Sequence, residues 1–294
     1  MIQDLFVPSV TPFNDDGTIH VDALIAHCDW LLTSGASGLM LFGTTGEGSS
    51  LSVAEKVTTA KAVVAAFPDV PVIASVMENA LPDILDAVRA FNELPLAATL
   101  VLPPSYLRET QTDGMRALFE LIVSVCEHPL IAYHIPGLAP PVAPSIVVDL
   151  PLWGAKDSGG DITYTDQVLA GGKPVMVGAE PLLLASMQHG ASGGICGVGN
   201  VAPSLIAEVC RAAREDRIDD AQRVLDVVVR LQRAIIEAAP DMEWIAAFKS
   251  IAGSLHGSDL GAVRLPLKSR RNYLTPAVQE ALSEAANVGV HQES

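Results

Sequence analysis

Basic residues are scarce in this sequence. Its 294 residues include 18 lysines and arginines against 34 aspartates and glutamates, which gives a formal net charge of -16 at pH 7. A nucleic-acid-binding protein needs a basic face that neutralises phosphate groups, and this composition provides none. The deficit of positive charge therefore argues against nucleic-acid binding; it bears on solubility more than on fold.

Motifs for metals and disulfides are also missing. The four cysteines, at positions 28, 126, 196 and 210, form no CxxC pair and share no metal-type spacing, so we expect buried free thiols. The seven histidines occur in no HxH or HExxH arrangement. We therefore expect neither a protein-bound metal nor an added cofactor.

Long apolar runs are absent as well. The longest, such as AATLVLPP and DVVVRL, are far shorter than the roughly 20 residues of a membrane span. The first residues, MIQDLFVPSVTPF, contain no basic segment and no cleavage signal, so we interpret them as the first strand. The resulting expectation is a cytoplasmic protein without membrane contact.

Short β-rich segments alternate with amphipathic helical segments along the chain. Eight strands are predicted, at 5–13, 38–46, 71–77, 98–104, 130–136, 153–159, 174–180 and 193–200. Helical patterns between them include 21–34, 52–67, 81–94 and 112–127. Strands that alternate with helices pair in parallel, because each crossover needs a helix to return the chain.

About eight such units without an internal linker predict a closed (β/α)8 TIM barrel rather than an open doubly wound sheet. We assign the barrel to residues 1–217 and a C-terminal helical extension to residues 218–294. Helices are predicted within the extension at 219–238, 243–255 and 275–288. We expect the extension to pack on the barrel as part of one structural unit, where it covers the barrel or builds a subunit contact.

The motif WGAKDSGGD brings one lysine, Lys156, to the end of a predicted apolar strand. Asp157 and Asp161 are available to neutralise it in an ordinary ion pair, but strand alternation sends the Asp157 side chain to the opposite face. Among apolar groups and without an adjacent acid, an amine favours its neutral form and can attack a carbonyl to give a Schiff base. On the preceding strand, Tyr133 is expected about 5 Å away, whereas His134 alternates outward toward the helices.

The motif GTTGEG at 43–48 is neither a Walker loop nor a GxGxxG sequence. It presents the hydroxyls of Thr44 and Thr45 and free backbone N–H groups, which suit a carboxylate, although an ordinary strand-to-helix turn has the same form. Tyr106, in LPPSYLRET, can equally be a loop residue that caps the barrel. Because chemistry in this fold collects at the C-terminal ends of the strands, these groups together with Lys156 and Tyr133 predict a site for a 2-oxo acid.

The motifs GTTGE, YHIPG and GAKDSGGD, in this order and spacing, resemble the dihydrodipicolinate synthase/N-acetylneuraminate lyase family of Schiff-base aldolases. The resemblance extends from Pro8 to about Leu267. It implies a (β/α)8 barrel with a C-terminal helical segment, assembled as a homotetramer of two tight dimers.

Carried over to this sequence, the resemblance implies that Lys156 is the Schiff-base lysine and Tyr133 the proton donor and acceptor. Tyr106 would complete the proton relay through Thr44 by reaching into the neighbouring subunit's site. The other implied roles concern pyruvate: Thr44 and Thr45 hold its carboxylate, Gly43 and Gly46 shape the turn, and Ile195 lines the keto-acid pocket with its backbone.

Several positions depart from the family pattern, among them Val53 and Lys56, which stand where many bacterial synthases have the histidines of a lysine-feedback pocket. The synthases follow YHIPG with an arginine that holds the second substrate's carboxylate, and this sequence has Leu138 there, without that charge-assisted contact. Pro181 follows Glu180 where the sialate lyases have a second acid, and Gly197 replaces a serine. We expect the aldehyde half of the substrate to contact Leu138, Glu180 and the 193–199 loop.

The sequence therefore predicts a class I aldolase or lyase that releases pyruvate and an aldehyde from a small 4-hydroxy-2-oxo acid or a 2-keto-3-deoxy sugar acid. The alternative is a 4-hydroxy-tetrahydrodipicolinate synthase, which condenses pyruvate with aspartate semialdehyde. A dehydratase of keto-deoxy sugar acids shares the same Schiff base. A keto-acid-binding module that has lost turnover is the remaining alternative.

Overall fold

The computed structural model describes residues 1–269 and 272–290, and its eight strands form a closed parallel barrel in sequential order. The strands are β1 (Asp4–Pro8), β2 (Gly38–Leu41), β3 (Val72–Val76), β4 (Ala98–Val101), β5 (Leu130–His134), β6 (Gly154–Asp157), β7 (Val175–Val177) and β8 (Gly193–Ile195). Apart from Asp4, every strand residue is buried, as parallel strands covered on both faces require.

Helices return the chain between the strands and then continue beyond them. The barrel helices are α1 (Val21–Thr33), α2 (Val53–Ala66), α3 (Leu81–Asn92), α4 (Thr112–Val123), α5 (Pro144–Asp149), α6 (Ile162–Ala170), α7 (Leu183–Gln188) and α8 (Pro203–Arg214). The C-terminal helices are α9 (Ile218–Ala238), α10 (Trp244–His256) and α11 (Pro276–Val290). The predicted (β/α)8 TIM barrel with a C-terminal helical part is confirmed.

All eight predicted strands are present, but their predicted bounds were wrong, mostly at the C-terminal end. The first pairs only over Asp4–Pro8, although apolar residues continue to position 13. β2 stops at Leu41 because Phe42 adopts a left-handed φ of 61°, which turns the chain out of the sheet. The residues wrongly assigned to strand ends instead form the loops at one mouth of the barrel.

Strand residues alternate between two apolar layers. On β1, Phe6 points into the barrel and packs with Met40 and Ile131 from other strands. Its neighbours Leu5 and Val7 point outward and join the larger core between the sheet and the helices. This period of two fixes which residues at each strand end face the lumen.

The helix α9 packs against α8, α10 and α11. Its buried residues recur at helical spacing, which gives the long helix one apolar face: Ala221, Val224, Leu225, Val227, Val228, Leu231 and Ile235. The three predicted C-terminal helices exist within two residues of the predicted bounds. They bring residues far along the sequence to the mouth of the barrel.

A buried histidine joins the first barrel helix to α10. His27 Nδ1 lies 3.1 Å from His256 Nε2, and His27 Nε2 lies 3.0 Å from Asn200 Oδ1. Burial lowers the pKa of His27 to about 4, with a further lowering by His256 and an opposing effect of the Asn200 hydrogen bond. The folded protein therefore holds this imidazole neutral.

We expect acid to destabilise the fold through His27. The stability that neutral His27 provides is complete above the ordinary pKa of 6.5 and is lost as the pH falls toward 4. The reason is that the unfolded chain binds a proton on this imidazole at a higher pH than the folded chain does. This group should cost about 2 kcal/mol of the free energy of unfolding between pH 8 and pH 5. In urea unfolding at both pH values, the free energy of unfolding should decrease less in His27→Gln than in wild type. In the exposed control His189→Gln it should decrease as much as in wild type. Equal losses in all three proteins would contradict the assignment.

Candidate active site

A cavity of about 380 Å³ opens where the strands end, a size suited to a small organic molecule. The strand ends and the loops after them contribute Thr44, Thr45, Tyr133, Leu138, Lys156, Glu180 and Ile195 to its wall. The C-terminal helices contribute Gln232, Ile236, Trp244 and Phe248. The cavity therefore combines residues of the barrel with residues of the helices that cover it.

The lysine on β6 and the tyrosine on β5 face each other in this cavity. Tyr133 and Lys156 are direct partners in the register of the two strands. Lys156 is 4% exposed, and its Nζ lies 4.2 Å from the centroid of the Tyr133 ring and 3.8 Å from Met40 Sδ. Asp157 points the other way and accepts hydrogen bonds from Thr165 Oγ1 and the Gly159 N–H, each at 2.8 Å. The carboxylate next in sequence is thus engaged elsewhere.

Two other lysines are buried in the part of the chain that the structure describes, and both are ion-paired. Lys56 Nζ lies 2.5 Å from Glu78 Oε1, and Lys249 Nζ lies 2.6 Å from Glu47 Oε1. Across residues 1–269 and 272–290, by contrast, Lys156 forms no ion pair within 4.0 Å. Buried charges are ordinarily paired, so an unpaired buried lysine that faces a cavity indicates a chemical role.

The Tyr133 phenol is set between the lysine and the loop after β2. Its hydroxyl lies 3.4 Å from Thr44 Oγ1. Burial raises the pKa of this phenol, but the Lys156 charge and hydrogen bonding with Thr44, Lys156 and Ser158 outweigh burial and bring the pKa below its ordinary value. A phenol with a lowered pKa, in contact with a hydroxyl, is able to accept and return a proton.

The loop 43–48 is held from both sides. Thr11 Oγ1 donates a hydrogen bond of 2.7 Å to the Gly46 carbonyl. Glu47 has a left-handed φ of 54° and is 3% exposed. Its two carboxylate oxygens bind the Lys249 ammonium at 2.6 Å and the Arg264 backbone N–H at 2.8 Å. The barrel and the C-terminal segment together fix the conformation that presents Thr44 and Thr45 to the cavity.

The two glycines predicted to shape this turn lie behind it and do not line the cavity in the described structure. A Cβ on Gly43 would meet the flexible end of Met40 at 2.5 Å, whereas a Cβ on Gly46 would lie 2.7 Å from the Ser9 carbonyl oxygen. The Met40 side chain can rotate away from an added Cβ, whereas the Ser9 carbonyl is part of the backbone and cannot move as easily. Gly46 is therefore the position where the absence of a side chain matters more.

We expect Gly46→Ala to destabilise the protein by about 1–3 kcal/mol and to weaken pyruvate binding, because the loop must shift away from Ser9. Gly137→Ala is the matched control, since a Cβ there meets no atom within 4 Å among the described residues. Thermal unfolding and calorimetric titration with pyruvate measure both effects. If Gly46→Ala were as stable as wild type, the close approach of Gly46 to the Ser9 carbonyl would not matter for stability.

The residues predicted to contact the aldehyde half also lie around the cavity. Glu180 is buried; its Oε1 accepts the Val198 N–H at 3.0 Å and its Oε2 accepts the Gln232 amide at 2.5 Å. Burial raises the pKa of Glu180 against the opposing effects of these hydrogen bonds and of Lys156. Leu138 is 37% exposed at the cavity mouth, and Ile195 is buried in the wall.

Tyr106 lies outside the cavity of its own chain. Its side chain is 87% exposed, and its backbone N–H donates to Asn79 Oδ1 at 3.1 Å. Its predicted role in a neighbouring subunit's site requires a second chain, so that role stays a prediction.

Five polar or large apolar residues that line the cavity were among those that sequence reasoning missed. Ser158 follows Lys156 by two positions, so strand alternation already placed it on the same face. The others belong to the covering helices and carry no local signal, because only the tertiary packing of α9 and α10 brings them to the barrel mouth: Gln232, Ile236, Trp244 and Phe248.

Two further observations concern metal sites and membrane-spanning helices. Within residues 1–269 and 272–290, no group of three or more His, Cys, Asp or Glu side chains is arranged to hold a metal ion. None of the described helices combines the length and the apolarity that a membrane crossing needs.

Comparison with known proteins places the chain in one family. The model of the dihydrodipicolinate synthetase family matches residues 1–285. A 4-hydroxy-tetrahydrodipicolinate synthase from Acidithiobacillus ferrooxidans is 31% identical over 298 residues, 97% of this chain and 99% of the relative. The chloride-inhibited dihydrodipicolinate synthase from Acinetobacter baumannii, solved with pyruvate, has a TM-score of 0.84, 26% identity and 99% coverage of both chains.

The fold is shared more widely than the sequence. A variant of 2-keto-3-deoxygluconate aldolase from Sulfolobus solfataricus has a TM-score of 0.84 at 22% identity, with 99% of this chain and 97% of the other covered. The family model and the synthase relative both span nearly the whole sequence. The chain therefore belongs to the dihydrodipicolinate synthetase family.

Proposed function

We propose that this protein is a class I aldolase that cleaves a 4-hydroxy-2-oxo acid or a 2-keto-3-deoxy sugar acid into pyruvate and an aldehyde. The observation that carries the proposal is Lys156, a buried lysine that faces a cavity without an ion-pair partner among the described residues and adjoins a phenol. Among the described residues, no carboxylate lies within 4.0 Å of this amine to compete with a substrate carbonyl. Nucleophilic catalysis by lysine depends on such a setting.

The Lys156 amine attacks C2 of the 2-oxo acid, and loss of water gives an iminium ion. Thr44, Thr45 and the backbone of their loop bind the adjacent carboxylate. As the C3–C4 bond breaks, its electron pair moves into the iminium group to form an enamine. Tyr133 takes the proton of the C4 hydroxyl, and the aldehyde leaves. Protonation of the enamine at C3 and hydrolysis then release pyruvate and restore the free amine.

Reduction of the iminium ion tests the covalent step. Incubation with pyruvate and borohydride should add one reduced pyruvyl group to the Lys156 peptide and leave the peptides of Lys56 and Lys249 unmodified. Peptide mass spectrometry measures the adduct. An unmodified Lys156 peptide would refute the proposal. An adduct without turnover of any 4-hydroxy-2-oxo acid would instead indicate a keto-acid-binding module.

A synthase activity is the second candidate, favoured by the name of the relative from Acidithiobacillus ferrooxidans. It requires a group that binds the carboxylate of aspartate semialdehyde. Leu138 lines the cavity, and Lys156 is the only cationic side chain among its described lining residues. This lack of a second cation favours cleavage, and efficient turnover of pyruvate with aspartate semialdehyde would favour the synthase.

We further propose that the chain assembles as a homotetramer in the cytoplasm. The exposed side chains of Tyr106 (87%) and Leu107 (63%) form an apolar loop tip suited to a subunit contact that would complete a neighbouring site. All four cysteines are free, which suits a reducing compartment. Sedimentation of wild type and Tyr106→Asp would test the contact.

A further inference from the structure

The described wall of the cavity offers one cationic side chain, which can bind one negative charge, and none for a second. Its described wall contains two charged side chains, Lys156 and Glu180. In the proposed function, on which this inference rests, Lys156 is consumed by the Schiff base. Glu180 is itself negative when ionised, and both of its oxygens already accept hydrogen bonds, from Val198 and Gln232. A carboxylate or phosphate on the aldehyde half would therefore be buried unpaired.

A polyhydroxylated aldehyde half finds few side-chain partners in the described wall, since Thr45 is assigned to the pyruvate carboxylate and Ser158 hydrogen-bonds with Tyr133. The Gln232 amide donates to Glu180 at 2.5 Å, so that N–H is already engaged. Thr44 and Tyr133 are engaged with each other at 3.4 Å, beside the lysine. Each substrate hydroxyl transferred from water to an apolar wall without a hydrogen-bond partner weakens binding.

Large apolar side chains form the outer part of the cavity. Leu138 is 37% exposed and Ile236 is 47% exposed at its mouth. The rings of Trp244 and Phe248 meet edge to face with centroids 5.6 Å apart. Phe248 also packs over Gly197, where an added Cβ would lie 3.2 Å from its ring. Apolar side chains left open to solvent around a cavity favour an apolar ligand.

We propose that the aldehyde half of the substrate is uncharged and apolar. The substrates are 4-hydroxy-2-oxo acids with an alkyl or aryl group on C4, cleaved between C3 and C4 to pyruvate and an aliphatic or aromatic aldehyde. The C4 hydroxyl proton passes to Tyr133, the C3–C4 electron pair to the iminium group, and a proton returns to C3. Sugar acids and aspartate semialdehyde are then not the preferred substrates.

The test is run in the direction of condensation, with pyruvate consumption as the readout. Benzaldehyde and butanal represent the apolar class, D-glyceraldehyde the hydroxylated class and glyoxylate the anionic class. We expect kcat/KM for benzaldehyde or butanal to exceed kcat/KM for D-glyceraldehyde and for glyoxylate by at least about 10-fold. Trp244→Ala should lower kcat/KM for benzaldehyde by about 10-fold or more and change that for D-glyceraldehyde by less than about 3-fold. Leu255→Ala is the matched control: it lies on the same helix, is 45% exposed and does not line the described cavity.

Borohydride trapping with pyruvate separates the two proposals. Three outcomes overturn this inference if the adduct forms on Lys156: a preference for D-glyceraldehyde or glyoxylate, equal use of all three aldehyde classes, or no consumption of any aldehyde. In each of them the covalent chemistry of the proposed function still holds. Absence of the adduct overturns the proposed function and this inference together. A gain of glyoxylate turnover of at least about 10-fold in Leu138→Arg would support the missing cation as the cause of the selectivity.

Discussion

Lys156→Met is expected to lower kcat by at least about 10,000-fold and to leave the protein folded. The substitution removes the nucleophile, so borohydride trapping with pyruvate should yield no adduct at this peptide. Methionine fills a similar volume next to Met40 and Tyr133, and no ion pair with a described residue is broken. The free energy of unfolding should therefore change by less than about 1.5 kcal/mol. Steady-state kinetics and urea unfolding measure the two effects.

Lys56→Met is the matched control, because it is the same substitution at another buried lysine. It leaves the Glu78 carboxylate without its partner at 2.5 Å, which should cost about 3–5 kcal/mol of stability. Below its melting temperature this variant should still form the pyruvyl adduct on Lys156. A comparable loss of stability in Lys156→Met, or turnover within 10-fold of wild type, would mean that Lys156 has a structural role instead.

Tyr133→Phe is expected to lower kcat by about 100- to 10,000-fold, because the C4 hydroxyl loses its proton acceptor. The amine remains, so pyruvate trapping on Lys156 should persist. Measured in the direction of condensation, where the phenol donates to the new C4 oxygen the proton that it accepts in cleavage, activity falls as the pH rises through the pKa of Tyr133. Since that pKa lies below the ordinary value of 10, the basic limb of the kcat/KM profile should lie below pH 10 and disappear in the variant.

Tyr164→Phe serves as the control for this substitution. Tyr164 is also buried, but it lies on α6 and stacks on His134 with ring centroids 3.7 Å apart, outside the cavity. Its variant should keep kcat within about 3-fold of wild type. If Tyr133→Phe behaved in the same way, the proton relay would have to run through another group.

The positions of the proposed catalytic pair were predictable because they depend on local rules. Alternation along β6 separates Lys156 from Asp157, and parallel pairing aligns it with Tyr133 on the preceding strand. The barrel itself followed from eight strand–helix units and the short connections between them. These features need only the spacing of residues close in sequence.

The cover of the cavity was not predictable in the same way. Gln232 on α9 and Trp244 on α10 reach the barrel mouth because α9 packs along α8 and α10 packs against α9; these tertiary contacts have no sequence motif. The ends of the strands were misjudged for a related reason. Val10 and Phe13 are apolar and buried like strand residues, yet they pack on loops and helices.

Glu47 links the loop after β2 to the C-terminal segment, because its carboxylate accepts a hydrogen bond from the Arg264 N–H, 217 positions away. On the ribosome, all eight strands emerge before Lys249 and Arg264 do. The barrel sheet can thus close during synthesis before Lys249 and Arg264 are present to hold the loop 43–48. The loop that presents Thr44 and Thr45 should therefore reach its final conformation only after Lys249 and Arg264 have been translated.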